Sequence, residues 1–152
     1  MFSTVRYFVK TSIVFLLLGV LSGLYMMIEK NNFNTWPDSE LISAHTHIIL
    51  VGSVMMMIMG VALWFFPRPV KEDKLYKPGL ILVTYYFMSV STLLRFISET
   101  VSSLFSSNDT IKFIETAASA GQVVGIIIFF ISIWGRIRSV GSHIREAKGE
   151  KF

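Results

Sequence analysis

Two pairs of ionisable side chains lie within otherwise apolar stretches of this sequence. His45 and His47 are two residues apart, and Arg95 and Glu99 are four residues apart, one turn of a helix. An ionisable group at membrane depth costs about 3 kcal/mol unless it is partnered, so such residues are candidates for function. Imidazole nitrogens bind transition metals and haem iron, and an arginine can pair with a carboxylate or another anion.

The spacing of the two histidines limits the kind of metal site that they can form. Successive residues of an α-helix are about 100° apart, so His45 and His47 differ by about 200° around the axis. They cannot bind one metal ion from a regular helix. A divalent metal site built on His45 and His47 would therefore need ligands from another helix or another chain.

A haem site is the second interpretation of the same residues. Gly52 follows His45 by seven residues, which places it on nearly the same face of an α-helix, and Met56 flanks that stripe. A histidine, a glycine and flat apolar walls suit a planar macrocycle, and neutral imidazole is an axial ligand of haem iron. Arg95 would contact a haem propionate, and Glu99 would balance or orient Arg95.

Each of these residues also has a purely structural interpretation. Histidines near the membrane interface often hydrogen-bond main-chain carbonyls and have no further role. Arg95 and Glu99 can form a structural ion pair near a helix end. The methionine-rich run around Met56 can fill gaps between helices, because consecutive residues point all around the axis. Spacing alone leaves these alternatives open.

The elements that must position these residues follow from composition. The chain has 152 residues, of which 53% are hydrophobic and only 16% are charged, against about 25% charged in a soluble domain. Its uncharged stretches form four blocks, 11–28, 41–66, 79–94 and 116–135. The composition predicts an all-α membrane protein, a bundle of four transmembrane helices at about 8–29, 40–66, 78–104 and 111–137. The bundle would occupy 1–138, and 139–152 would be a basic cytoplasmic tail.

Local signals predict where the helices begin and how they pack. Pro37, with Asp38 and Ser39 as candidates for the N-cap, marks the start of the second helix, and prolines after residue 66 mark its end. Small residues recur every four positions in two of the helices, which predicts close helix packing, inside the chain or with a second copy. These small residues are Gly19 and Gly23 in the first helix and Ala117, Gly121 and Gly125 in the fourth.

The distribution of positive charge predicts the orientation. One side would carry only Lys30 and Lys112, whereas the other carries Arg6, Lys10, Arg68, Lys71, Lys74, Lys77, Arg136, Arg138, Arg145, Lys148 and Lys151. The positive-inside rule places both termini in the cytoplasm and both ionisable pairs near the outer surface of a cell inner membrane. The basic charge is thereby explained by the lipid bilayer, without nucleic acid as a partner.

The second block resembles a known family. Segment 44–52 (AHTHIILVG), continuing to 64–68 (WFFPR), resembles the second transmembrane helix of haem-copper oxidase subunit I, most closely that of cbb3-type oxidases and nitric oxide reductases. Segment 92–99 (TLLRFISE) is similar to short stand-alone relatives of that subunit. The resemblance implies that His45 is an axial ligand of a low-spin haem b.

The chain also departs from that family. The oxidase subunit has many more helices and further histidines, for the second axial ligand, the high-spin haem and copper, whereas the membrane histidines here are His45 and His47. A haem–copper centre cannot be assembled from this chain alone, and copper is not expected. Cysteine is absent, so haem b would be bound non-covalently.

Three functional hypotheses remain open on the sequence. The first is a haem b protein in electron transfer, gas binding or haem handling, in which His47 is a second ligand or a group that supports the site. The second axial ligand would come from His45 or His47 of another copy in a homo-oligomer, or from another protein, or would be absent. The second is a non-catalytic accessory or assembly subunit of a respiratory oxidase complex. The third is a divalent metal site formed by His45 and His47 across a dimer.

Overall fold

The chain folds into helices only, within the residues that the computed structural model describes: 2–66, 78–105, 107–137, 141, 144–145 and 148–149. Four helical stretches are long and apolar enough to cross a membrane, namely Thr4–Phe33, Ser39–Phe65, Gly79–Phe105 and Asp109–Arg136. The prediction of an all-α membrane protein with four spanning helices is confirmed. The predicted basic loop at 68–77 and most of the predicted tail at 139–152 lie outside the described residues.

The helices are numbered α1 to α5, and the second span contains two of them. The first span is α1 (Phe2–Phe33), the third is α4 (Pro78–Phe105), and the fourth is α5 (Asp109–Ile133) with a 3₁₀ turn at Trp134–Arg136. The second span consists of α2 (Ser39–His47), a π-helical segment (Ile48–Met55) and α3 (Met56–Phe65). The π-helical turns hold about one residue more than α turns, so the face that each later residue presents is shifted.

The helix ends follow from local backbone chemistry. Asp38 caps α2, as predicted, because its side chain accepts a hydrogen bond from the Glu40 amide at 2.9 Å. Phe66 is extended after α3, the conformation favoured before a proline. The first helix extends beyond the predicted 8–29, because hydropathy marks the apolar length and not the helix. It ends just before Asn34, which adopts a left-handed φ of 50°.

The second span lies between the first and the third, so it is the central element of the bundle. The π-helical segment and α3 pack against α1, α2 packs against α4, and α4 packs along α5. Met56 and Met59 are 0% and 1% exposed and belong to the hydrophobic core, which confirms that these two methionines fill space between helices. Large apolar side chains cover the outer surface, as expected of helices that face lipid.

The predicted small-residue faces form contacts inside the chain. On α1, an added Cβ would meet side chains of the second span, and on α5 it would meet side chains of α4. The pairs are Gly19 with Ile49, Gly23 with His45, Gly121 with Ser91 and Gly125 with Met88. These faces therefore serve internal helix packing.

Arg136 is a charged residue that is buried at the end of the fourth span. Its side chain is 0% exposed, and its Nη2 donates to the carbonyl oxygens of Leu63 and Phe66, each at 3.0 Å. These carbonyls lie at the end of α3, where no further helical turn can satisfy them. The guanidinium thus ties the end of the fourth span to the end of the second.

Candidate functional site

The imidazole of His45 faces α1 and is oriented by a main-chain carbonyl. Its Nδ1 lies 2.9 Å from the Gly19 carbonyl oxygen and 3.2 Å from the Ser22 hydroxyl, which itself donates to the same carbonyl. A carbonyl oxygen can only accept, so this bond requires the proton on Nδ1 and leaves the lone pair on Nε2. Within the described residues, no hydrogen bond involves Nε2 of His45.

Gly23 allows the ring of His45 to lie against α1. A Cβ built on Gly23 would be 2.8 Å from Cε1 of His45, 3.3 Å from Nδ1 and 3.6 Å from Nε2, whereas ordinary contacts begin at 3.4 Å. Sequence analysis identified this glycine as a packing residue, but not the histidine as the side chain that packs there. The glycine and the carbonyl of Gly19 together fix the position of the imidazole.

A surface pocket of about 270 Å³ lies between α1 and α2 and includes His45. Its walls are mostly apolar, and the Lys30 ammonium lies 4.4 Å from the centroid of the Trp36 ring. The lining residues are Gly23, Met26, Met27, Lys30, Trp36, Pro37, Ile42 and His45. We call this the His45 pocket.

The side chain of His47 is directed to a different neighbour. Its Nδ1 lies 2.9 Å from the carbonyl oxygen of Ser43 and 3.2 Å from the Ser43 hydroxyl. That hydroxyl donates to Oε1 of Glu99 at 2.9 Å, which connects α2 to α4. The two histidines therefore serve opposite helix contacts, as their angular separation predicts: His45 bonds to α1, and His47 connects through Ser43 to α4.

Arg95 and Glu99 form an ion pair inside a larger polar network. Nε of Arg95 donates to Oε1 of Glu99 at 2.9 Å, and Nη1 contacts the amide oxygen of Gln122 on α5 at 3.4 Å. The Gln122 amide donates in turn to the Thr92 hydroxyl at 3.1 Å. Glu99 is 4% exposed, and its Oε2 is buried without a hydrogen-bond partner among the described residues. We call the connected residues Ser43, His47, Thr92, Arg95, Glu99 and Gln122 the Glu99 network.

Sequence analysis missed Gln122 and Ser43 as members of this network. Gln122 is the only amide side chain in the uncharged block 116–135, and that isolation was an available signal. The side chain is 4% exposed, so its hydrogen bonds are made away from solvent. Ser43 gave no comparable signal, because a serine near the start of a membrane helix is common.

The other predicted cofactor residues lie away from the His45 pocket. The nearest side-chain atoms to a Cβ on Gly52 belong to Phe15 and Thr92, at 2.8 Å each, so that glycine serves the packing of α1 and α4 around the π-helical segment. Met56 lies in the core. Arg95 does not line the pocket, whereas Lys30 does. Among the described residues, no three His, Cys, Asp or Glu side chains are grouped closely enough to hold a metal ion.

Comparison with known proteins adds one match. The family model for cytochrome c and quinol oxidase polypeptide I matches residues 3–149, which is nearly the whole chain and more than the central segments that carry the resemblance. No curated protein and no solved structure matches the chain. Because the family match extends across all four spanning helices, the chain belongs to the cytochrome c and quinol oxidase polypeptide I family.

Proposed function

We propose that this protein binds haem b in the membrane and that His45 is an axial ligand of the iron through Nε2. The observation that carries the proposal is the bond from Nδ1 to the Gly19 carbonyl, which leaves the Nε2 lone pair available. Histidines that bind metals commonly donate their other N–H to a carbonyl or carboxylate, which fixes the tautomer and makes the ligand more basic. Family membership supports the same cofactor, because haem-copper oxidase subunits I bind haems.

The residues around His45 fit part of a haem, but they do not enclose one. Thioether, aliphatic and indole side chains provide an apolar wall beside the imidazole. The pocket volume is about 270 Å³, however, and pockets that enclose a drug-sized ligand are about 300–1,000 Å³. The macrocycle would therefore be covered on its other side by lipid or by a second polypeptide.

His45, the two glycines of α1 that contact it and the apolar wall of the pocket have different parts in this proposal. His45 supplies the axial nitrogen, Gly19 holds the imidazole proton through its carbonyl, and Gly23 keeps the ring close to α1. The apolar wall excludes water from one side of the cofactor. When bound, haem b would supply reversible one-electron transfer or the binding of a diatomic gas.

The second axial ligand would come from another chain in this proposal. His47 is the other membrane histidine, and it belongs to the Glu99 network and not to the His45 pocket. The glycine faces that could have driven self-association serve internal packing. These two observations favour a partner polypeptide of a respiratory complex over a homodimer built on those faces, and a role in electron transfer or haem handling within that complex.

The finer assignments belong to the same proposal. We place the protein in the inner membrane with both termini in the cytoplasm, so that His45 lies near the outer surface. The branch of the family that it resembles most is that of the cbb3-type oxidases and nitric oxide reductases, on segment 44–52.

A pyridine haemochrome assay with matched histidine variants tests the proposal. Protein purified in detergent and supplemented with haem b should show a Soret band and bind haem stoichiometrically. His45→Ala should lose the band, whereas His47→Ala should keep it, because its imidazole bonds to Ser43 outside the pocket. The absence of haem binding by the wild-type chain, or an unchanged spectrum in His45→Ala, would refute the assignment.

An accessory subunit without its own cofactor is the second candidate. The observation that favours it is the small size of the His45 pocket together with the wholly internal hydrogen bonds of the Glu99 network. This alternative predicts co-purification with a larger oxidase complex and no Soret band attributable to the chain.

A divalent metal held by His45 and His47 is disfavoured within one chain, since the two rings bond to different neighbours. Elemental analysis distinguishes it from haem.

A further inference from the structure

We propose that Lys30 recognises the carboxylate edge of the haem and determines which way the macrocycle enters the His45 pocket; this inference rests on the proposed function. Haem b is apolar except for two propionates on one edge, so a pocket that orients it needs a cation on one side of the axial histidine. Among the described residues, Lys30 is the one lysine or arginine that lines the His45 pocket. Sequence analysis gave this part to Arg95.

The position of Lys30 suits this task because an aromatic ring, and not a carboxylate, holds its ammonium. Nζ lies 4.4 Å from the centre of the Trp36 ring, a cation–π contact that fixes the side chain and leaves its N–H donors able to bind an anion. The neighbouring Glu29 accepts a hydrogen bond from the Tyr25 hydroxyl at 2.6 Å. An ammonium placed in this way can accept a carboxylate without first breaking an ion pair.

Arg95 is placed less favourably for the same anion. Its Nε donates to Glu99 and its Nη1 contacts Gln122, between α4 and α5. Moving the guanidinium to a propionate would leave the buried carboxylate of Glu99 without a cation, which is costly at this depth. The two cations therefore differ in availability: Arg95 balances a charge of the protein itself, and Lys30 does not.

An anionic lipid is another source of a negatively charged group for Lys30, because its phosphate can also bind a lysine at the interface. The two sources differ in what they require of the pocket. A lipid phosphate at Lys30 needs no contact with His45, whereas a propionate couples Lys30 to iron binding at the imidazole. The coupling can be measured by comparing haem b with its dimethyl ester, in which both carboxylates are uncharged.

The experiment titrates haem b and the dimethyl ester into the full chain in nanodiscs of zwitterionic lipid and follows the Soret band. Lys30→Met should weaken haem b binding about fivefold, the effect of an ion pair at an exposed site, and leave ester binding unchanged. Lys30→Arg should restore the affinity for haem b. Lys112→Met is the matched control, because that exposed lysine near the start of α5 is absent from the lining of the pocket, and neither ligand should be affected.

The outcomes separate this inference from the proposed function. Equal weakening of haem b and ester by Lys30→Met, or no effect on either, overturns the role of Lys30 while haem binding by His45 stands. An equal loss in Lys112→Met would show a general surface-charge effect and would also overturn it. Failure of the wild-type chain to bind either compound overturns the proposed function, and the inference with it.

Discussion

Gly23→Ala is the sharpest test of how the chain positions His45. The new methyl group would lie 2.8 Å from Cε1 of the imidazole, closer than side chains approach one another, and 3.3 Å from Nδ1. Cε1 belongs to the end of a side chain that can rotate, so the least costly relief is rotation of the ring away from α1. That rotation lengthens the 2.9 Å bond from Nδ1 to Gly19 and turns Nε2 out of its present direction.

Gly23→Ala should change the free energy of unfolding only modestly and should weaken haem binding much more. Alanine favours a helix over glycine by about 0.5–1 kcal/mol, and overpacking costs about 1–3 kcal/mol, so the free energy of unfolding should fall by no more than about 2.5 kcal/mol. Loss of a hydrogen bond that orients a metal ligand costs about 10- to 100-fold in affinity. We therefore expect haem binding to weaken at least about tenfold in a protein that still folds.

The assay is a haem titration followed at the Soret band, with helix content measured by circular dichroism on the same samples. Gly79→Ala is the control, because nothing lies within 4 Å of a Cβ at that position. An unchanged haem affinity in a folded Gly23→Ala protein would refute the claim that contact with α1 orients the imidazole. Equal weakening in both variants would attribute the effect to the loss of a glycine in general.

Three further predictions concern the packing of the bundle, measured as free energies of unfolding in mixed detergent micelles. Arg95→Leu leaves the buried carboxylate of Glu99 without its cation and should cost about 3–5 kcal/mol. Replacing both Arg95 and Glu99 by leucine should cost much less, and equal costs would contradict a buried ion pair. Ser43→Ala removes a donor to Glu99 and should cost about 1–3 kcal/mol, and no loss would mean that water replaces the hydroxyl. Gly121→Ala drives a methyl group against Ser91 and should destabilise the contact between α4 and α5 by about 1–3 kcal/mol, unless the serine changes rotamer freely, in which case stability is unchanged.

The spanning helices could be predicted from the sequence because lipid imposes a simple rule on the backbone. Every N–H and C=O in the hydrocarbon region must be paired internally, so a long uncharged block has to be helical. The cap at Asp38 was predictable for a different reason, since aspartate is a preferred N-cap residue whose side chain accepts a hydrogen bond from a free amide of the first turn. That His45 and His47 point in nearly opposite directions from the second span also followed from the sequence, because two residues advance about 200° around an α-helix.

The second span departs from the α-helical periodicity that the sequence analysis assumes. The prediction that Gly52 shares a face with His45 assumes 3.6 residues per turn between them. The π-helical segment Ile48–Met55 inserts extra residues per turn, and Gly52 packs against Phe15 and Thr92. A π-helical segment leaves no sequence signal comparable to a proline, so this shift could not be derived from the spacing.

The contacts between helices could not be derived from any single helix. Gln122 acquires its role only because α5 packs on α4 with the amide opposite Arg95 and Thr92. In the same way, the sequence analysis used Lys30 only to decide which side of the membrane faces outward. That Lys30 lines the same pocket as His45 depends on the path of the chain through 34–38. Charge counting predicts the side of the membrane on which a residue lies, and not its neighbours.

The surroundings of His45 bear on how the proposed haem site would be completed. The four spanning helices place His45 in the lining of an open pocket with its Nδ1 bonded to the Gly19 carbonyl, whereas His47 belongs to a separate network. A haem held by one axial ligand and one wall would be displaced by water or lipid more readily than a haem enclosed on both sides. If a second polypeptide, and not lipid, covers the open side of the proposed haem site, haem affinity should rise when that polypeptide is added, and an unchanged affinity would contradict this cover.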